Sequence, residues 1–326
     1  MANVLLIGMG ITTLSALESL VSHCNVRGVV RNVDPESNGD DPVVNFAQKA
    51  GIPIFSDISQ GAIKSLVLKL QPECVVVSSY NQILPPGLIE LSVFINVHYS
   101  PLPQYRGRAN VNWAIVNDES HAAITIHQIA PELDAGNILF QQLIPIRFDA
   151  TVADLYEQLN EIQRQHLGET VIKLLHGYEG VVQNNAEATY CCTRLPEDSE
   201  IDWSASTRSI DCFIRALVSP FPGAYTYLQG KKLFVWQAKP LNNPPSYVGR
   251  IPGRIIGRSK TEGYVDVLTG DGVLRIFEVQ FEGEERTAAA NIIKSVKSTL
   301  GLRASHLLGR IQTLEQEIIR LKEYAK

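Results

Sequence analysis

Two short stretches carry side chains that could act together on a carbonyl. In Phe94-Ile-Asn-Val-His-Tyr-Ser-Pro-Leu-Pro-Gln-Tyr-Arg-Gly-Arg108 a predicted strand runs straight into a proline-stiffened loop. Side chains alternate along a strand, so Asn96, His98 and, one step on, Ser100 project to one face. Alone, an Asn-x-His pair reads as a hydrogen-bonded strand end. The second stretch, Ala130-Pro-Glu-Leu-Asp-Ala-Gly136, follows another strand pattern and presents Asp134 just before a small residue and a glycine. As an ion partner, Asp134 would favour the charged form of His98. The imidazolium can then act as an acid while the carboxylate takes up or relays the proton lost by an attacking amine. A carboxamide for the developing oxyanion, an imidazole and a carboxylate together describe acyl transfer to a nitrogen nucleophile. A serine or cysteine beside a convincing base, as a covalent acyl-enzyme needs, is not visible.

Such a set must be held by a rigid frame, and the chain supplies one. The apolar run Asn3 to Gly8 meets a glycine turn and the helical pattern Thr13 to Val21; Val26 to Val30 reads as the next strand. Strand and helix then alternate through Val43–Ala50, Ile52–Phe55, Ile63–Leu70, Cys74–Ser78, Leu88–Leu91 and Phe94–His98, with Ala123–Ile129 as another strand and Val152–Leu175 as a long helix. That rhythm predicts an α/β domain, a Rossmann-like parallel sheet with helices on both faces, whose sites lie at the carboxyl ends of its strands. Gly8-Met9-Gly10 lacks the third glycine of a dinucleotide turn, Thr13 standing there, and reads as a tight packing turn without a nicotinamide cofactor.

After a polar stretch from Thr193 to Ser206 the pattern changes to one helix, Thr207–Val218, and then to short β-type runs separated by Gly turns, as in a small OB-like β-barrel. The expected division is residues 1–192, 193–287 and a helical tail, 288–326. The tail repeats Leu307, Ile311, Leu314, Ile318 and Leu321 at helical spacing. It reads as a helix packed on its own domain, with a short homodimer contact as the alternative because sustained heptads are few.

Composition sets the broad class. With 326 residues and a formal net charge of -5, the chain can bury a sizeable core and offers no general attraction to a phosphate backbone. The odd set Cys24, Cys74, Cys191, Cys192 and Cys212 has no CxxC spacing and suits small, buried, reduced thiols in a cytoplasm. Neither a cationic leader nor a membrane-length apolar run is present. No metal is expected, since His98 has no His or Cys at ligand spacing.

These residues carry a resemblance. Asn96-Val-His98, SPLPQYRGR from Ser100 to Arg108 and Leu133-Asp-Ala-Gly136 resemble the core of the folate-dependent formyltransferases, and Pro220 to Tyr225 followed by a barrel pattern resembles the second domain of the longer members. Pro101 departs from the family's usual leucine and stiffens the loop. The resemblance implies 10-formyltetrahydrofolate as donor, its pterin end along Gln82, Ile83, Leu84 and Ala130, Pro131, Glu132, Leu133, with Ser100 and Arg108 at the same pocket.

Two acceptors then compete. The stretch Arg31 to Asp41 is acidic where methionyl-tRNA formyltransferases are rich in Arg and Lys. Tyr105 to Glu119, Thr193 to Asp198 and Phe221 to Tyr227 resemble formyltransferases of the aminoarabinose type, which act on a nucleotide-linked amino sugar. That resemblance implies small-molecule partners, with Lys231, Lys232 and Arg215 as candidate phosphate contacts and methionyl-tRNA as the runner-up acceptor. A non-catalytic folate- or nucleotide-binding module, and hydrolysis of the donor by water, are the remaining alternatives.

Overall fold

The computed structural model describes residues 1–33, 41–302 and 304–324. The acidic positions Asp34, Glu36 and Asp40 lie outside them; at the edges of that stretch Arg31 Nε pairs with Asp41 at 2.6 Å. The chain divides into two compact units. One comprises Met1–Ala114, Glu119–Phe148 and Asp154–Thr193; the other comprises Ile115–Asp118, Asp149–Ala153 and Arg194–Lys326, tail included.

In the first unit, apolar runs alternate with half-apolar helices. These are β1 (Asn3–Ile7), α1 (Thr13–His23), β2 (Asn25–Val30), α2 (Pro42–Lys49), β3 (Ile54–Phe55), α3 (Gln60–Leu70), β4 (Cys74–Ser78), α4 (Pro86–Ile89) and β5 (Val93–His98). Asp41 caps α2 by accepting from Val43 and Val44 N–H, and Ser59 caps α3 by accepting from Ala62 N–H, which is why each helix starts where it does. β4, with no exposed residue, is a fully covered central strand. Beyond β5 come β6 (Arg106–Gly107), α5 (Asn110–Val116), β7 (His121–Gln128), β8 (Ile138–Pro145), α6 (Val152–Leu175) and β9 (Tyr190–Cys191).

The main sheet has the order β3-β2-β1-β4-β5-β7-β8. The first five strands run parallel, as the alternating pattern predicts, but β5 pairs with β7 and β7 with β8 antiparallel. The expected parallel sheet is present, and β7 and β8 extend it antiparallel. A parallel return from β7 to β8 needs a crossover of a dozen residues or more, and residues 129–137 are too few for one.

Alternation along β5 distributes its end residues between two layers. Phe94 joins a core cluster with Leu5, Ile7, Val75, Val77 and Leu84, against which α3 packs Ile63 and Val67. Just past the strand, Tyr99 turns to α6, where its hydroxyl donates to Gln163 Oε1 at 2.6 Å. Gln163, wholly buried, donates back to the Thr12 carbonyl at 3.0 Å and ties α6 to the start of α1. Gly8 and Gly10 are the packing turn the sequence suggests. A Cβ at Gly8 would meet Thr13 at 2.4 Å, and one at Gly10 would meet Ser79 at 2.7 Å.

The second unit holds α7 (Thr207–Leu217), whose Ser206 cap accepts from Ser209 N–H. It continues through β10 (Ala224–Leu228), β11 (Lys231–Pro240), β12 (Ile255–Arg258), β13 (Val265–Leu268), β14 (Val273–Phe281) and β15 (Thr287–Ala288). The antiparallel path β10-β11-β14-β13-β12, with β15 on β14, is an open sheet whose two end strands do not pair, which a partly open OB-like barrel allows. The tail is not one helix. α8 (Ala289–Ile292) ends early, residues 293–302 return to the sheet through bonds such as Leu300 N–H to Gly253 O, and α9 (Ala304–Tyr324) follows. Every described side chain of α9 is exposed, so the expectation of a helix packed on its own domain is not met.

All five cysteines are free; Cys24, Cys74 and Cys212 are buried, whereas Cys191 is half-buried and Cys192 exposed. Among the described residues no helix is long and apolar enough to cross a membrane. Replacing Gln163 by Leu should remove its hydrogen bonds with the Tyr99 hydroxyl and the Thr12 carbonyl, the latter keeping Ser15 Oγ and the Ala16 N–H as donors. A loss of about 1–3 kcal/mol of unfolding free energy in a urea titration is expected, and an unchanged midpoint would show that α6 is not held through this side chain.

Candidate active site

β5 presents Asn96 and His98 on one face, as strand alternation requires, and the antiparallel register sets His127 of β7 directly across from Asn96. His127 was invisible to a reading made strand by strand, although its place two residues after Thr125 in an alternating run marks it as sharing that residue's face. Its Nδ1 lies 2.8 Å from the Gln128 carbonyl, which can only accept, so Nδ1 carries the proton. Nε2 is then a lone-pair acceptor for the Asn96 amide at 3.2 Å. Burial holds the His127 imidazole down at about 4, against the ordinary 6.5; the Asp134 carboxylate only partly offsets that. Neutral His127 thus orients the amide and leaves the second Asn96 N–H for another acceptor.

His98 is buried at the end of β5. Its Nε2 donates to the Tyr105 carbonyl at 3.0 Å, and Asn110 Nδ2 donates to the same oxygen at 2.6 Å. With Nε2 committed, the nitrogen free to gain and lose a proton is Nδ1. That atom lies 3.7 Å from Asp134 Oδ2, an ion-pair distance and not a hydrogen bond. The other carboxylate oxygen lies 3.6 Å from His127 Nε2. The two rings stand edge to face, their centroids 6.1 Å apart.

The carboxylate is held from behind. Asp134 adopts the left-handed backbone region at φ 49, and Oδ2 accepts from Gly107 N–H at 2.8 Å. Gln183 Nε2 donates to the carbonyls of Asp134 and Gly136, at 2.8 and 2.7 Å, while Arg106, fully buried, donates to Gln183 Oε1 at 2.8 Å. Gly136 has to be glycine, because a Cβ there would lie 1.9 Å from the Gln128 carbonyl oxygen.

The remaining expected site residues fall into two groups. Leu84 is buried in the core cluster on which Ile129 also packs, so Gln82–Leu84 and the stretch beginning at Ala130 are anchored on one apolar base. Gln82, Ile83, Pro131, Glu132 and Leu133 are exposed above it, Ala130 is half-buried, and Arg108 is exposed on the loop after β5. Ser100 goes elsewhere: it is buried and donates to the Gln104 carbonyl at 2.9 Å, stapling the loop instead of facing Asn96 and His98. Pro101 sits in that same loop, its carbonyl accepting from Gln104 N–H at 3.0 Å.

In the second unit, Arg215 is also spent internally, on Asp211 at 2.9 Å and on the Ala150 carbonyl, so it is not available to a phosphate. Lys232 lies 4.2 Å over the Tyr225 ring and 3.6 Å from Glu282; Lys231 is exposed.

The ligand atoms of His98, His127 and Asp134 lie within 4.8 Å of one another, a spacing at which such groups can hold a metal ion. His98 therefore does have a neighbouring ligand in space, contrary to the reading from sequence spacing. Ligation through His127 Nε2 would displace the hydrogen bond that orients the Asn96 amide.

A strand-borne amide and imidazole beside a loop carboxylate, at the carboxyl end of β5 in a mixed Rossmann-like sheet, are groups that can serve acyl transfer. Residues 32–171 match the family model described as formyl transferase, and residues 195–297 match that of the formyl transferase C-terminal domain. A methionyl-tRNA formyltransferase of Citrifermentans bemidjiense is 32% identical over 275 residues, covering 82% of each chain. One of Alkaliphilus oremlandii is 33% identical, covering 75% of this chain and 79% of its own. Among solved structures, an N-formyltransferase from Helicobacter canadensis, in complex with folinic acid and dTDP-3-aminofucose, superposes with a TM-score of 0.62 at 20% identity, over 86% of this chain and all of its own. HypX from Aquifex aeolicus, in complex with tetrahydrofolic acid, superposes with a TM-score of 0.66 at 17% identity, over 90% of this chain and 47% of its own. The chain belongs to the folate-dependent formyl transferase family, whose donor is 10-formyltetrahydrofolate.

Between pH of about 6.5 and about 4 an unfolded chain takes up a proton at His127 that the folded chain refuses, so this group removes stability as the pH falls through that window. Unfolding free energies of His127→Gln measured across it should decline less steeply than those of the parent, by up to ~1.4 kcal/mol per pH unit. Superimposable acid limbs would mean that His127 is protonated in the folded protein.

Proposed function

We propose that this chain is an N-formyltransferase that passes the formyl group of 10-formyltetrahydrofolate to the primary amine of a nucleotide-linked amino sugar. The observation that carries the transfer itself is the convergence of Asn96, His98 and Asp134 at one place, held respectively by the His127 ring, the Tyr105 carbonyl and the Gly107 N–H.

The chemistry follows from the free valences of those groups. The pterin end of the donor lies along Gln82–Leu84 and Ala130–Leu133. The amine attacks the formyl carbon directly, and the carbonyl oxygen gathers charge beside the free N–H of Asn96, the position where an oxyanion donor is most effective. The amine must lose a proton and the departing folate nitrogen must gain one. Asp134 accepts the first, and His98 Nδ1, 3.7 Å away, supplies the second or protonates the oxygen on the way. One C–N bond forms, one breaks, and the proton count closes without an outside base. His98, Asn96 and Asp134 act as catalytic residues; His127, Gly107 and Asn110 position them.

The amino-sugar acceptor is supported by the runs that resemble aminoarabinose-type enzymes and by the acidic balance of the chain, which leaves a phosphate backbone without a broad cationic partner. Methionyl-tRNA is favoured by a different observation: relatives about a third identical across both domains bear that name. Mass spectrometry of reactions with 10-formyltetrahydrofolate and a panel of nucleotide-linked amino sugars, or with methionyl initiator tRNA, separates the two. A formylated sugar is expected, with Asn96→Ala lowering its rate by on the order of a hundredfold or more in a folded protein. Formylated methionyl-tRNA would replace the acceptor but keep the site. Formate release with every amine untouched would point to donor hydrolysis, and full turnover by Asn96→Ala would remove the proposed mechanism.

A further inference from the structure

α9 is built to be covered. Leu307, Ile311, Leu314, Ile318 and Leu321 follow one another at alternating four- and three-residue steps, and each is exposed to 40% or more. Placed in a heptad, Ile311 and Ile318 take the a positions and Leu307, Leu314 and Leu321 the d positions. A β-branched residue at a with leucine at d favours two parallel strands. We propose that a second copy of this chain docks on α9 as a parallel, in-register, two-stranded coiled coil.

The flanking charges select this occupant. The same register puts Arg310 and Glu317 at g, and Glu315 and Lys322 at e, all exposed. In a parallel pair each g residue faces the e residue of the following heptad on the partner. Arg310 then meets Glu315 and Glu317 meets Lys322, once from each side of the two-fold axis, with opposite charges at every one of these pairings. Leu308, also at e and exposed to 60%, widens the apolar seam at its amino end. A membrane surface would ask instead for cations gathered on the polar face, whereas here the signs alternate. At 21 residues, about 31 Å, the seam spans roughly three heptads, so the association is concentration-dependent.

Sedimentation equilibrium of the full chain tests this from low to high micromolar concentration. The parent should move from 36.0 kDa towards twice that mass. The double variant Leu314→Lys/Ile318→Lys should stay monomeric, and because these side chains are exposed its circular dichroism and melting should otherwise match the parent. Glu315→Arg makes both symmetric pairs like-charged and should weaken the dimer roughly fivefold or more; adding Arg310→Glu should restore it. Ile311→Cys should form a disulfide between copies under mild oxidation that the parent, which already holds exposed Cys192, does not form. A parent that is monomeric throughout, a dimer that survives the double lysine variant, a trimer, or an Ile311→Cys protein that does not cross-link would each overturn the proposal. So would vesicle binding through α9 by a chain that does not self-associate.

Discussion

Asp134 can reach His98 only because the turn after β7 comes back tightly onto its own strand. Gly136 lies so close to the Gln128 carbonyl that no side chain fits between them, and Asp134, two residues earlier, adopts the left-handed backbone region. From there the carboxylate takes the Gly107 N–H, which belongs to the short strand β6 that follows β5. One close contact thus brings two separate chain segments to the same few ångströms. Buried Arg106 and Gln183 fill the space behind and make the arrangement expensive to loosen, since each would leave polar atoms without partners.

The same reversal of chain direction divides labour between two imidazoles. His127, opposite Asn96 in the ladder, is buried deeply enough to remain neutral, and its proton is spent on a backbone carbonyl. It can hold the amide but does not compete for protons near neutral pH. His98 commits its other nitrogen, Nε2, to a carbonyl and leaves Nδ1 facing the carboxylate. Similar side chains on neighbouring strands acquire different tasks from the carbonyls that each happens to meet.

Much of this was legible in the chain itself. Alternation on a strand placed Asn96 and His98 together, and the helix and strand rhythm located the parallel half of the sheet with ends close to those observed. What was not legible depends on strand partners. His127 needs the knowledge that β7 runs against β5, and a mixed sheet differs from a parallel one only in connections whose direction a periodicity does not record. Ser100 was misplaced because β5 stops at His98 and the loop turns the hydroxyl inward. Arg215 had the right charge for a phosphate, but an aspartate one helical turn earlier claims it. In the tail, spacing revealed the apolar stripe of α9 but not whether the chain folds back to cover it.

The division of labour between the two imidazoles is most directly tested by 15N NMR of the histidine rings in the full chain, with His98→Gln and His127→Gln used for assignment. The account predicts a His127 ring that is neutral and protonated at Nδ1 at pH 7 and that does not titrate until the pH falls towards about 4. A His127 ring protonated at Nε2, or one titrating near its ordinary value, would contradict it, because Asn96 would then lose the acceptor that fixes its amide.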